Sequence, residues 1–293
     1  MAGKALKVAV LSGKGGTGKT LLSVNLAAVA PESVYLDCDV EEPNGHLFFK
    51  PEMQAEESVT VLIPEIDEKR CTGCRECVDF CAFHALAFVG SHPILFDEVC
   101  HSCGGCALLC PARAIQETEK VVGAISSGRS YNVVLHTGCL QIGEASGIPI
   151  IKRLLEKASN NGDHLVLIDC PPGSACATME SIPGADFCVL VAEPTVFGMH
   201  NLAMVHELVT LFEKPFGVVL NKCLESDNPS EAYCLEHHIP ILGRIPFDAE
   251  LGTLNSDGKI AVRENEQFRT IFGSLLERIG REARYEAASD SQR

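Results

Sequence analysis

No run of eighteen apolar residues occurs in the 293-residue chain, so no membrane-spanning helix is expected. Residues 1–11 carry no charged-then-apolar leader, which argues against a secretory signal and leads to the expectation of a cytoplasmic protein. Basic side chains are scarce. The 24 Lys and Arg stand against 39 Asp and Glu, a formal charge of −15 that leaves room for one local basic patch but not for a broad phosphate-backbone interface, so nucleic acid is not expected as the main partner. Histidine occurs ten times without a metal-ligand spacing, and His84, His92 and His101 are assigned no role. Hydrophobic side chains, at 46%, are plentiful enough for one large α/β core or two smaller ones. Fifteen cysteines without a signal peptide point to metal or redox chemistry more than to disulfides.

One glycine-rich stretch organises the N-terminal third. Ser12, Gly13, Lys14, Gly15, Gly16, Thr17, Gly18, Lys19 and Thr20 follow the apolar run Val8, Ala9, Val10, Leu11 and precede a helical pattern. Strand (7–12), loop and helix (18–30) in this order bring backbone N–H groups and a positive helix end to one point, which suits a phosphate chain. Lys19 would reach the β- and γ-phosphates, and Thr20 would offer its hydroxyl to Mg²⁺. A second strand, 33–37, continues a βαβ unit and runs into Asp37, Asp39, Glu41 and Glu42. These acids either face a ligand beyond the strand end or solvate a loop.

The additional Lys14 before Gly15 and Gly16 gives the loop a form that resembles the deviant Walker A motif of the MinD, ParA, Mrp and nitrogenase iron protein superfamily. That resemblance implies an ATPase in which Lys14 crosses to the partner subunit's phosphates, within a homodimer or a heterodimer of close paralogues. It further implies that Asp39 polarises the attacking water, with Asn44 at the spacing of the MinD branch. Strand 164–169, ending in Asp169 and followed by Cys170, Pro171, Pro172 and Gly173, is similar to the family's switch II, which makes Asp169 a holder of Mg²⁺. The stretch 216–222 resembles the base-recognition strand and makes Asn221 the adenine contact.

Cys71, Cys74, Cys77 and Cys81 follow the spacing C-x₂-C-x₂-C-x₃-C, and Cys100, Cys103, Cys106 and Cys110 repeat it after a shift of 29 residues. Ala85 maps onto Ala114 by the same shift, so the segment is an internal duplication. Thiolates so spaced wrap cubic iron–sulfur clusters, the fourth cysteine of each run serving the other cluster. Cys71, Cys74, Cys77 and Cys110 are therefore assigned to one [4Fe–4S] centre, and Cys100, Cys103, Cys106 and Cys81 to the second. Paired zinc sites are the weaker alternative, since they rarely use a doubled run of four. Ala82 stands where a proline often follows the fourth cysteine.

The expected architecture is a mostly parallel, doubly wound α/β sheet in 1–66 and 120–293, split by a small ferredoxin-like α+β unit at 67–119. Strand-like 59–63 precedes the unit, and 121–126 with 131–136 follow it. Cys139, in a glycine-containing loop at 136–143, and Cys176, just past Asp169, lie where the nitrogenase iron protein holds a cluster across its dimer axis. They are either ligands of a third, bridging [4Fe–4S] cluster or incidental packing residues. Packing is the expected role of Cys38, Cys170, Cys188, Cys223 and Cys234. A C-terminal stripe of Phe268, Ile271, Phe272, Leu275, Leu276 and Ile279 reads as an amphipathic helix. The following Glu286, Ala287, Ala288, Ser289 and Asp290 lack the basic cluster of a membrane anchor, so core packing is expected.

Three functions accord with these features. The first is an ATP-switched protein passing electrons through its clusters to a redox partner. The second is a cofactor-assembly or carrier ATPase of the Mrp kind. The third is a positioning ATPase of the MinD kind. Clusters held by four internal thiolates are poorly placed to be handed on, which ranks electron transfer first.

Overall fold

The structure, a computed structural model, describes residues 5–158, 165–224 and 228–290, with the backbone alone at 287–290. Residues 1–4 of the stretch expected to carry no leader, the strand start at His164 and the tail side chains from Ala287 onward lie outside the described residues. The strands in chain order are β1 (Lys7–Leu11), β2 (Ser33–Asp37), β3 (Glu52–Ile66), β4 (Leu86–Val89), β5 (His92–Leu95), β6 (Ile115–Ser130), β7 (Val133–Leu140), β8 (Leu165–Asp169), β9 (Phe187–Ala192), β10 (Phe216–Cys223) and β11 (Ile241–Pro246). The helices are α1 (Lys19–Val29), α2 (Gly45–Phe49), α3 (Glu76–Phe80), α4 (Gly105–Leu109), α5 (Ile148–Lys157), α6 (Cys176–Ser181), α7 (Val196–Leu211), α8 (Pro229–Glu236), α9 (Ala249–Ser256), α10 (Ala261–Glu264) and α11 (Glu266–Asp290).

Strands before and after the cysteine segment share one sheet in the order β11-β10-β9-β1-β8-β2-β7-β6-β3. The run from β11 to β7 is parallel, and only the β7–β6 and β6–β3 pairs are antiparallel. Side chains alternate between two cores. Val8 and Val10 pack with α1, α10 and α11, whereas Ala9 and Leu11 pack with α5 and α7, which is why the central strands are apolar on both faces through their middles. The C-terminal stripe lies in the first of these cores, with Phe268, Phe272, Leu275 and Ile279 all buried. Cys38, Cys170, Cys188 and Cys234 are likewise buried, and Cys223 is packed at the edge of the second core. No helix among the described residues is long and apolar enough to cross a membrane.

The main departures from expectation concern β3, β6 and β7. Instead of short strands at 59–63 and 121–126, β3 and β6 form one long antiparallel ribbon paired from Ile66↔Ile115 to Glu52↔Arg129. The expected strand at 131–136 starts later, because Tyr131 takes a positive φ of 53° in the β6–β7 turn. The expected end of the cysteine unit at 119 falls inside β6, and the segment between the ribbon ends is 67–114. Cys139, expected in a loop, is in β7 opposite Ala124. Glycines at 123, 128 and 138 obscured this pattern. Each has a neighbour that a Cβ would strike, so close packing, not loop freedom, explains them.

The 67–114 segment repeats itself in backbone as well as sequence. Its short helices α3 and α4 are offset by 29 residues, and so are three left-handed pairs: Gly73 and Ser102, Arg75 and Gly104, His84 and Arg113. A hairpin of β4 and β5 separates the halves. Asp67 N–H donates to Ala114 O at 2.7 Å, closing the segment at the ribbon's tip.

Candidate functional site

The phosphate-loop residues lie between the carboxyl end of β1 and the start of α1. Gly16 and Gly18 adopt φ of 79° and 97°, a region that favours glycine. The N-terminus of α1 has no side-chain cap and no acidic residue in its first turn, leaving its first N–H groups without a side-chain acceptor of their own helix. The loop is braced from two sides. Asn221 Nδ2, at the carboxyl end of β10, donates to Thr17 O at 2.7 Å, and Gly13 abuts the backbone of Asn201 in α7. A Cβ on Gly18 would lie 2.1 Å from Asn221 Nδ2. Gly18→Ala therefore combines backbone strain of about 1–3 kcal/mol with displacement of Asn221. Calorimetric titration with ATP should show at least tenfold weaker binding, and Gly15→Ala, where a Cβ meets open space, should show much less.

The two loop lysines rest on carboxylates. Lys19 is buried, its Nζ 2.8 Å from Asp169 Oδ1. Burial, the largest single influence, would lower its pKa, but the charge and hydrogen bond of Asp169 together with the nearby Asp39 and Cys170 raise it. Lys14 is half exposed and pairs with Glu193 at 2.8 Å. Lys222 also pairs with Glu193, at 2.6 Å, and donates to Gly16 O at 2.7 Å. Burial pushes the Glu193 carboxyl up, yet the hydrogen bonds from Lys14 and Lys222 hold it below its usual value. Thr20 is half-buried on the first turn of α1.

Asp169 is the centre of a buried network. Its Oδ1 accepts from Lys19 and, at 3.1 Å, from Ser23 Oγ, while its Oδ2 accepts from Tyr35 O–H at 2.6 Å. Asp37 stands in register with Asp169 on the adjacent strand and accepts the Gly45 N–H at 2.8 Å. The loop carrying Asp39 and Asn44 is thereby anchored below its tip; Asn44 Nδ2 donates to Glu42 O at 2.8 Å. Asp39 is half-buried, and burial, partly offset by Lys19, lifts it to about 6. Thr137, in register with Asp37 on the other side, has a buried hydroxyl with no protein partner among the described residues. Polar capacity thus remains at the carboxyl edge for a ligand or its water shell. Both Asp37 and Asp39 face this network instead of simply solvating a loop.

Burial, with the Asp169 charge adding to it, pushes Asp37 from 3.8 up to about 8. Its folded pKa exceeds its unfolded one, so the stabilisation is complete below about pH 4 and is lost as pH rises through 8. The thermal midpoint of the nucleotide-free protein should accordingly fall by a few degrees between pH 5 and 8.5 on account of this group. Asp37→Asn should flatten that slope, and an unchanged slope would reassign it to other groups.

The eight cysteines of the duplicated segment line two separate cavities. Cys81, Cys100, Cys103 and Cys106 line one of about 190 Å³, and Cys71, Cys74, Cys77 and Cys110 line a narrower one of about 20 Å³. Each cavity thus combines three cysteines of one run with the fourth of the other. The fourth cysteines are matched in detail: Cys81 Sγ accepts the Ala85 N–H and Cys110 Sγ the Ala114 N–H, both at 3.3 Å. Burial pushes Cys106 up to about 11 and raises Cys77, so metal binding at neutral pH must displace their protons. No group of three His, Cys, Asp or Glu among the described residues converges as the ligands of a single metal ion would. The donor chemistry and the four-walled cavities fit a cluster whose own iron–sulfide core separates its thiolates, with the narrower cavity having to widen.

Cys139 near the end of β7 and Cys176 at the start of α6 are both exposed, so neither is a core packing residue. Sequence reasoning did not single out Tyr35, Ser23, Thr137 or Glu193. Glu193 follows an apolar strand just as Asp169 does, a signal that was present; Tyr35 looked like any other residue of a buried strand.

The description CobQ/CobB/MinD/ParA nucleotide binding domain matches residues 8–262. An uncharacterized protein of Methanocaldococcus jannaschii is 29% identical over 282 residues, covering 94% of this chain and 97% of its own length. The iron-sulfur cluster carrier protein of Methanococcus maripaludis is 26% identical over 301 aligned positions, covering 94% and 86% respectively. The septum site-determining protein MinD of Pyrococcus horikoshii, solved with Mg-ADP, shares the fold with a TM-score of 0.57 at 19% identity, over 93% of this chain and 95% of that one.

Proposed function

The chain belongs to the CobQ/CobB/MinD/ParA nucleotide-binding family, and we propose that it is an ATP-hydrolysing, ATP-switched dimer that couples nucleotide state to electron transfer through an inserted two-cluster ferredoxin-like unit. The observation that carries this reading is the gathering of eight cysteines into two sets of four at the tip of a ribbon rooted in the nucleotide-binding sheet.

On ATP binding Lys19 moves from Asp169 to the β- and γ-phosphates. Ser23 and Tyr35 keep Asp169 in place, where with Thr20 it would hold Mg²⁺ directly or through water. When bound there, the cation would supply charge neutralisation of the phosphates. Lys14 leaves Glu193 for the partner's phosphates, Asp39 orients the attacking water and Asn221 contacts the base. Cys71, Cys74, Cys77 and Cys110 would hold one [4Fe–4S] cluster and Cys81, Cys100, Cys103 and Cys106 the other; when bound, they supply one-electron capacity. Cys139 and Cys176, exposed near the carboxyl edge, would hold a third cluster across the dimer axis. A redox protein is the partner on this reading.

The name of the Methanococcus maripaludis relative supports a second reading, in which the chain carries clusters to a recipient. The two are separated by pre-reducing the anaerobic protein and adding ATP with an oxidised electron acceptor or an apo-ferredoxin. Electron transfer requires acceptor reduction in step with phosphate release while iron stays on the chain. Iron appearing on the apo-ferredoxin instead would replace that reading with the carrier one. In the same preparation Cys176→Ser should lower iron from about ten to about eight per chain, since a bridging cubane is shared by two subunits; equal iron would remove the third cluster.

A further inference from the structure

A second polar concavity lies at the end of α1 opposite the phosphate loop. It encloses about 1270 Å³ between the last turn of α1, the β6–β7 turn and α10. Its wall carries five basic side chains, Lys50, Arg129, Lys259, Arg263 and Arg269, against the two carboxylates Glu52 and Glu264. This is a local inversion of sign in a chain of net charge −15. The excess is poorly neutralised from within. Among the described residues Arg129 approaches Glu32 only at 3.9 Å and Arg269 meets Glu266 at 3.4 Å, both exposed, while no ion pair joins Lys50, Lys259 or Arg263 to a carboxylate.

Arg263 is built into the wall. Its guanidinium stacks 4.6 Å from the Tyr131 ring centre and 5.6 Å from that of Phe49, and it donates to Ser130 Oγ and O at 3.2 and 3.3 Å. Ser130 Oγ is itself buried and donates to Phe49 O at 2.6 Å, which holds the hydrogen-bonded corner in shape. Tyr131 is 84% exposed at the rim. A half-buried cation held by neutral groups leaves its charge available to an incoming anion. An exposed ring stacked on that cation offers a platform for a second planar ring.

We propose that this cleft binds a small phosphate-bearing molecule with a planar ring, of the nucleotide class, at a site separate from the phosphate loop. The phosphate meets Arg263 with Lys50 and Lys259, and the ring stacks at Tyr131. Concave walls favour a small ligand over the flat acidic face of a protein, because a low-dielectric cleft focuses the field of its charges.

The test titrates the full chain with AMP and with inorganic pyrophosphate, by calorimetry at low salt, in wild type and in Lys19→Ala, which disables the phosphate loop. One AMP per chain should bind in both proteins. Arg263→Gln should weaken it about tenfold or more, as expected for a lost charge-assisted contact, and the surface variant Lys259→Gln should weaken it less. Tyr131→Ala should remove the advantage of AMP over pyrophosphate. Circular dichroism identifies any variant that fails to fold, and Lys259→Gln keeps the test decisive if Arg263→Gln does. AMP binding that disappears in Lys19→Ala, or that is indifferent to Lys259→Gln and Arg263→Gln, overturns the proposal. Binding of neither probe together with retention of a poly-glutamate peptide overturns it too and assigns the cleft to an acidic protein surface.

Discussion

Replacing Lys14 with alanine is expected to abolish ATP-dependent dimerisation and to reduce turnover about a hundredfold or more, the scale of losing one preorganised charge at the transferring phosphoryl group. Nucleotide binding itself should survive, because Lys19 and the backbone of the loop remain. The structure explains why Lys14 can leave its resting place at little cost. Its partner Glu193 is shared with Lys222, so that carboxylate stays neutralised after Lys14 departs. Its side chain is 41% exposed, where an ion pair contributes about 1 kcal/mol or less. Lys19 differs, being buried against Asp169 with its neighbours already satisfied. Sedimentation with a non-hydrolysable ATP analogue, alongside phosphate release, measures both quantities. A Lys14→Ala protein that still dimerises would show that Lys14 acts within its own subunit. Glu193→Gln should dimerise at least as readily as wild type.

Anaerobically prepared protein is expected to carry about eight iron atoms per chain in the cysteine segment, two cubanes of four, beyond any bridging cluster. The decisive comparison is between fourth cysteines and the runs to which they belong in sequence. Cys110→Ser should damage the centre of Cys71, Cys74 and Cys77, and Cys81→Ser the centre of Cys100, Cys103 and Cys106, because those sets line common cavities. In each case about four irons should be lost or loosened. Electron paramagnetic resonance of the reduced proteins distinguishes the centres if Cys81→Ser matches Cys106→Ser and differs from Cys71→Ser. Signals that follow sequence order would overturn the crossed assignment, and a zinc-only metal content after strictly anaerobic reconstitution would remove both clusters.

The legible features of the chain were those whose chemistry is local. Gly18 and Lys19 adjoin in sequence because a turn and a helix start adjoin in space. The offset of 29 residues between cysteine runs survives as an offset between helices and left-handed residues. The apolar strands were equally plain, since burial on both faces demands hydrophobic residues throughout. The expected α/β sheet follows from those apolar runs, and the buried C-terminal stripe from its period of about 3.6 residues.

Less legible were relations carried by tertiary contact. Polar positions spread through β3 and β6, whose outer location in the sheet relaxes the demand for apolar residues, so their length and antiparallel pairing were underestimated. Cys139 looked loop-like because its glycine neighbours serve close packing. Tyr35 becomes a partner of Asp169 only because β2 and β8 are neighbours, although 134 residues separate the two in sequence. Glu193 meets Lys14 and Lys222 for the same kind of reason. The basic cleft is the extreme case: Lys50, Arg129, Lys259 and Arg263 come from three distant parts of the chain. Phosphate-loop geometry and cysteine spacing are short-range and readable from order alone, whereas long-range charge pairing requires the sheet to choose which strand ends stand side by side.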